Sequence, residues 1–288
     1  MTNKPKLIVI VGPTAVGKTP YSIELALKKN CPIISADSRQ FYKEINIGTA
    51  KPTEDEMKGV PHYFINSHSI KEIFTAGDYE HSAINLLHEL FLAHKEVIVV
   101  GGSGLYINAL CFGFDPMPKG NESIRQELHK IYQEKGIIAL QEQLKQIDPE
   151  FFKVCEQKNP QRLMRAIEIC LISGKSNLEL RKLKKEKKRF FDIEFIGLEM
   201  PKLLLKERIE KRVDTMIENG LVNEALSVVD YRSHYALKTV GYREIFSYFD
   251  GKISLDEAVF LIKKNTIEFA RKQITWFKKN PLIKWITI

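Results

Sequence analysis

Gly12, Pro13, Thr14, Ala15, Val16, Gly17, Lys18 and Thr19 fit G-x-x-x-x-G-K-[ST], the spacing of a phosphate-binding P-loop. Glycines let backbone N–H groups converge on phosphate oxygens, and the helix that follows adds its positive end. Lys18 supplies a point charge, and the Thr19 hydroxyl serves as a Mg²⁺ ligand or a phosphate donor. The motif identifies a di- or triphosphate without saying which. Asp37, in Ser35-Ala36-Asp37-Ser38-Arg39-Gln40, is the carboxylate in reach of the same cleft. It suits either water-mediated Mg²⁺ binding or general-base catalysis, and the plain alternative is a cap for the next segment. Gly101-Gly102-Ser103-Gly104 has the wrong spacing for a dinucleotide fingerprint and reads as a turn whose Ser103 hydroxyl faces the cleft. No acid ends the apolar run before it, which argues against an ordinary NTPase.

Basic clusters lie further along the chain. In Pro160-Gln161-Arg162-Leu163-Met164-Arg165, helical spacing puts Gln161, Arg165 and Glu168 on one face and Leu163, Ile167 and Cys170 on another. Arg208 and Arg212 share a helix face four residues apart. Lys238-Thr239-Val240-Gly241-Tyr242-Arg243 and Arg271-Lys272-Gln273-Ile274-Thr275-Trp276-Phe277-Lys278 mix base-stacking aromatics with phosphate-binding cations. That mixture suits single-stranded RNA better than a duplex. Taken singly, each cluster reads as a solvated helix face. Beside a P-loop they gain weight.

The elements that must position these residues alternate. Strand patterns at 6–11, 32–36 and 96–100 are separated by helical patterns at about 19–29 and 76–94. This order predicts a parallel α/β sheet with sites at the C-terminal ends of its strands. From Pro116, Pro118, Gly120 and Asn121 the pattern breaks, and 122–188 reads as short helices, with Asn159-Pro160 as a start and Gly174 as a stop. Strand character returns at 190–198, followed by helices at 201–219, near 221–229 and at 255–279. The expected fold is therefore a P-loop NTPase-like parallel sheet core with an inserted all-helical domain. Its parts are 1–116 for the first part of the core, 117–189 for the insertion, and 190–288 for the return to the core with C-terminal helices.

Composition bounds the rest. With 288 residues, 44% hydrophobic and 28% charged, the chain is globular rather than generally disordered. Residues 1–116 carry 11 Lys/Arg against 12 Asp/Glu, whereas 117–288 carry 33 against 24. A neutral first part and a basic remainder suggest small-molecule chemistry joined to a polyanion-binding surface. Leu178–Arg189 alone holds seven basic and two acidic residues. Cys31, Cys111, Cys155 and Cys170 form no CxxC pair, so they read as buried small hydrophobes. No apolar run approaches the roughly 18 residues of a membrane span, and the N-terminal run is too short for a signal peptide. The expectation is a cytoplasmic monomer that uses no membrane.

These residues resemble the bacterial-type tRNA dimethylallyltransferases, also called tRNA isopentenyltransferases. The resemblance covers almost the whole chain in one order. GPTAVGKT at 12–19 is followed by ISADSRQFYKEINIGTAKP at 34–52, GVPHYF at 59–64 and VGGSGLYINAL at 100–110. Then come NPQRLMRAIEI at 159–169, ERIEKRVDTMIENGL at 207–221, KTVGYREI at 238–245 and FARKQITWF at 269–277. The P-loop is widespread, but the DSRQ–IGTAKP segment and the paired VGYR and KQITWF segments are specific to this family.

The resemblance implies transfer of a dimethylallyl group from dimethylallyl diphosphate to N6 of the adenosine just 3′ of the anticodon in tRNA, with Mg²⁺ and loss of diphosphate. It implies that Thr14–Thr19 and Arg212 hold the diphosphate and that Asp37 is the base. It places tRNA against Asp37, Ser38, Arg39, Gln40, Ser103, Arg125, Gln161–Arg165, Lys238–Arg243 and Arg271–Lys278, with the insertion gripping the anticodon stem-loop. Departures from the family pattern are Ser103 in place of Thr, Val16 in place of Ser, and Pro20 directly after Thr19. The C-terminal zinc finger of eukaryotic relatives does not follow Trp285, the pattern of a bacterial or organellar form. Rival readings are a small-molecule P-loop kinase, a prenyltransferase for free adenine nucleotides, and an RNA-binding protein with an inactive P-loop.

Overall fold

Leu7–Val11 are apolar and mostly β-branched, and each is at most 1% exposed, so this run forms a strand covered on both faces. The computed structural model describes residues 4–114, 117–182 and 188–288. Six strands, β1 (Lys6–Val11), β2 (Ile33–Ser35), β3 (His62–Tyr63), β4 (Glu96–Val100), β5 (Asp192–Glu199) and β6 (Ile283–Thr287), make one sheet in the order β3-β2-β4-β1-β5-β6. Every pairing is parallel, with registers such as Ile8↔Ile98, Val9↔Phe195 and Ile34↔Val99. All strand C-termini therefore open on one edge, where loops can build a site.

Helices α1 (Lys18–Lys29), α2 (Glu54–Met57), α3 (Ala76–Ala93) and α4 (Gly104–Phe112) alternate with the first strands. Thr75 and Asp78 form a reciprocal capping box that starts α3. A helical segment follows: α5 (Glu122–Ile147), α6 (Pro149–Val154), α7 (Pro160–Ser173) and α8 (Asn177–Lys182). Gly136, at φ 72°, breaks α5 into two shorter helices. Asn159 accepts from Arg162 N–H at the head of α7, Pro160 occupies its first turn, and left-handed Gly174 ends it. After β5 come α9 (Lys202–Glu218), α10 (Leu221–Ser227), α11 (Tyr242–Phe249) and α12 (Leu255–Phe277).

The chain divides into two compact units. Met1–Phe112 and Arg189–Ile288 form the sheet unit, and Gly113–Lys188 forms the helical one. The sequence boundary at 116 and its Pro116 fall outside the described residues, as do 183–187 of the basic Leu178–Arg189 stretch. Arg189 pins the returning chain by donating to Glu80 Oε1 (2.9 Å) and to Ala109 O (2.7 Å). The helical unit has its own core of Leu128, Leu140, Leu144, Phe151, Leu163, Met164, Ala166 and Ile167. Burial raises the thiol pKa of Cys31 to about 11 and of Cys111 to about 12, which keeps both inert. Among the described residues, no helix is long and apolar enough to cross a membrane.

Candidate functional site

The P-loop follows β1 directly, and its backbone depends on unusual dihedrals. Gly12, Ala15 and Gly17 have φ of 150°, 63° and 100°. A Cβ on Gly12 would lie 2.6 Å from Leu198 O, so only glycine fits that approach to β5. The first N–H groups of α1 have no intrahelical partner and form an anion-binding end. Lys18 Nζ donates to Gly12 O (3.0 Å) and Pro13 O (2.7 Å). Burial lowers its pKa to about 8; Asp37 opposes that shift and Arg212 adds to it.

The strands that carry the P-loop and Asp37, β1 and β2, are separated by β4, and the GGSG turn after β4 fills the space between them. Gly101 N–H reaches Ile10 O (3.2 Å), Ala36 N–H reaches Val100 O (2.7 Å), and a Cβ on Gly101 would meet Ala36 O at 2.3 Å. Ser103 Oγ accepts from Ser38 N–H (2.9 Å), which fixes the turn that carries Asp37. Asp37 Oδ1 accepts from Arg39 N–H (3.0 Å), so it shapes its own turn and caps no helix. Its charge acts on Lys18, Arg212 and Lys51. Burial pulls the Arg212 guanidinium below its usual pKa, and Asp37 counters this.

All of this lines one cleft of about 1200 Å³ in the sheet unit. Its wall takes Thr14, Ala15 and Gly17–Thr19 from the P-loop, Asp37–Gln40, and Ser103. It also takes Arg208 and Arg212 from α9, Lys238–Gly241 and Arg243, and Lys272, Gln273 and Trp276 from α12. Gly104 makes room for the Trp276 indole, since a Cβ there would sit 2.1 Å from Nε1. Gln40 donates to Thr49 O and Ala50 O at 3.2 Å, which ties the Asp37 turn to the IGTAKP loop.

Several residues assigned to RNA by sequence are instead interior. Tyr242 is fully buried, with its hydroxyl on Glu224 Oε1 (2.5 Å), so it cannot stack on a base. Leu163 and Met164 belong to the helical unit's core, and Phe277 is 3% exposed. Gln273 is buried and engaged with the backbone on both sides. Helix periodicity turns Arg271, Ile274, Thr275 and Lys278 away from the cleft wall, and Lys278 pairs with Glu199 at 2.7 Å.

Four residues with structural roles here were not singled out from sequence. Glu224 accepts the N–H groups of Asn46, Ile47 and Gly48 at 2.7–2.9 Å and so holds the IGTAKP loop. Lys51 Nζ donates to Asn66 Oδ1 (2.6 Å) and Asn46 Oδ1 (3.0 Å), and burial lowers its pKa to about 8. Tyr235 presents its ring to Arg39 at 4.6 Å, and Thr49 anchors its loop through Ile45 O. A carboxylate nest or a cation–π pair has no local spacing signature, so nothing in the sequence marked Glu224 or Tyr235, while Thr49 and Lys51 were marked only as members of the IGTAKP segment.

In the helical unit, Arg125, Arg165 and Glu168 form one cluster. Glu168 is 1% exposed and accepts from Arg125 Nε (2.8 Å), Arg165 Nη1 (2.5 Å) and Asn121 N–H (2.7 Å). Burial pushes its carboxyl up, but those hydrogen bonds outweigh burial and hold it below the usual range. The one carboxylate leaves a net positive charge on this trio, beside exposed Arg162.

The family model for IPP transferases matches residues 40–280. The chain belongs to the IPP transferase family. The tRNA dimethylallyltransferase of Christiangramia forsetii is 48% identical over 97% of this chain and 92% of its own length. That of Flavobacterium johnsoniae is 46% identical over 97% and 92%. Among solved structures, the tRNA isopentenylpyrophosphate transferase of Bacillus halodurans aligns over 99% of this chain and 90% of its own, with 36% identity and a TM-score of 0.72. A eukaryotic dimethylallyltransferase acting on tRNA aligns over 98% and 74%, with 25% identity and a TM-score of 0.82. This IPP transferase family member thus has the P-loop-like parallel core with a helical insertion of its solved relatives.

Proposed function

We propose that this protein transfers the dimethylallyl group of dimethylallyl diphosphate to N6 of the adenosine 3′-adjacent to the anticodon in tRNA, releasing diphosphate. The observation that carries the reading is the pairing, in one cleft, of an anion-binding P-loop with a carboxylate that faces its cations. An exocyclic adenine amine is a poor nucleophile because its lone pair is delocalised into the ring. Attack on the allylic carbon therefore needs a base, and Asp37 takes the N6 proton. As the new C–N bond forms, the carbon–oxygen bond breaks and its electron pair leaves with the diphosphate. P-loop N–H groups, Lys18 and Arg212 neutralise that charge. The diphosphate is a leaving group rather than a phosphoryl donor, which fits the absence of an acid at the end of β4. A paired or stacked base cannot enter the cleft, so the nucleotide must be extruded.

The Thr19 hydroxyl, in the cleft wall beside Lys18, would hold a Mg²⁺ together with the phosphates of the bound diphosphate. The ion would supply Lewis-acid charge stabilisation to the leaving group. For the RNA, the exposed cations Lys238, Arg243 and Lys272 flank the cleft, and Trp276, 38% exposed, offers a stacking face.

Incubation with labelled dimethylallyl diphosphate, unmodified tRNA and free AMP tests the reading. Label is expected in tRNA; label in AMP makes the protein a free-nucleotide prenyltransferase, and label in neither removes the prenyl donor. Affinity for tRNA should fall steeply with salt through counterion release. Neutralising Arg162 and Arg165 together should reduce the slope of log affinity against log salt by about 1–2. An unchanged slope would show that this face only meets solvent.

A further inference from the structure

We propose that Gln273 is a positioning residue of the diphosphate subsite, holding the P-loop in its anion-binding shape through Thr14 N–H. This rests on the diphosphate reading given above and assigns a role to a residue that the sequence placed against RNA.

Gln273 comes from α12 and is 7% exposed, yet its carboxamide is used at both ends. Oε1 accepts from Thr14 N–H at 2.8 Å, and Nε2 donates to Gly102 O at 3.0 Å. The two backbone partners dictate which end is oxygen and which is nitrogen. Gly102 leaves the room that the amide occupies, since a Cβ there would lie 2.2 Å from Nε2 and displace it.

The P-loop needs such a support. Ala15, next to Thr14, sits in the left-handed region at φ 63°, between two glycines of positive φ. A strained conformation of this kind persists only where its surroundings over-determine it. Within the loop, Lys18 Nζ holds the Gly12 and Pro13 carbonyls and Val16 N–H reaches Pro13 O at 3.4 Å, whereas Thr14 N–H is held from outside the loop, by Gln273. Gln273 binds Thr14 N–H and leaves the amides that follow to converge on an anion. Its other end holds the GGSG turn, whose Ser103 fixes Ser38 beside Asp37. One buried carboxamide thus sets the spacing between the phosphate loop and the carboxylate turn. Lys272 and Trp276 of the same helix stand in the cleft wall.

Two variants test this with inorganic diphosphate alone as the calorimetric probe, and tRNA binding by filter assay alongside. Gln273→Met is nearly isosteric and makes neither hydrogen bond. It should weaken diphosphate binding about tenfold, the worth of a buried hydrogen bond left unmade, with tRNA affinity nearly unchanged. Gln273→Glu keeps the acceptor for Thr14 but, when ionised, cannot donate to Gly102 O. Protonated, it presents one acceptor and one donor, as the amide does. Its diphosphate affinity relative to wild type at each pH should therefore recover as pH falls.

Wild-type diphosphate affinity in Gln273→Met, equal losses of diphosphate and tRNA affinity, or a pH-independent ratio in Gln273→Glu would each overturn the proposal. Should Gln273→Met not fold, the Gln273→Glu ratio still decides. If both variants behave as expected toward diphosphate yet wild type transfers no label to tRNA, the prenyl-transfer reading fails and the positioning role stands.

Discussion

Lys18→Ala is expected to abolish dimethylallyl transfer while tRNA affinity stays nearly unchanged. Lys18 Nζ lies on the P-loop carbonyls Gly12 O and Pro13 O, at the end of the cleft where the leaving group must develop its charge. Removing one preorganised charge-stabilising donor costs about 10²–10³ in rate. A full ammonium facing a diphosphate belongs at or beyond the upper end of that range. Equal loss of tRNA affinity in a filter-binding assay would contradict the division of labour between loop and basic clusters.

The same lysine gives a pH signature. Its pKa in the free protein is about 8, lowered first by burial. The anion binds the protonated form, so diphosphate affinity should be fully present below that value and fall as pH rises through it. Binding should also take up protons near that pH, because the bound anion raises the lysine pKa. Calorimetry in buffers of different ionisation enthalpy reads that uptake. Lys18→Ala should lose most of it; an unchanged uptake would move the titration to Lys51 or to the diphosphate itself.

Asp37→Ala should lower kcat by roughly 10²–10⁴, the usual worth of a positioned base. Diphosphate affinity should hold or rise, because the carboxylate offsets part of the charge on Lys18 and Arg212. Asp37→Asn refines the test. An amide oxygen can still accept from Arg39 N–H, the bond that Oδ1 makes at 3.0 Å, so the turn survives while the base is lost. The asparagine variant should then be nearly as slow as the alanine one. The competing assignment makes Asp37 a holder of Mg²⁺. In that case diphosphate affinity collapses in both variants and high Mg²⁺ restores part of it, and the general-base role is wrong.

The sequence by itself determined the parallel α/β core, the P-loop, the carboxylate at 37 and the helical insertion. Those features rest on local signals: an unbroken apolar run at 7–11, a motif with fixed spacing, Asn159-Pro160 at a helix start and Gly174 at its end. Elements with weak local signals were not legible. β3 has two residues, β6 has five, and α11 lies in a segment read only for its cations and aromatics. The tertiary structure alone decided which members of each motif face the cleft. In Arg271–Lys278 and Lys238–Arg243, residue type marks a capacity to meet RNA, but helix phase and neighbouring elements settle exposure. So Tyr242 turns inward to Glu224, Phe277 is buried, and Gln273 spans the 259 residues to Thr14 in the P-loop and the 171 residues to Gly102 in the GGSG turn. Such contacts join residues far apart in the chain, and only the packing of α12 against the strand ends brings them together.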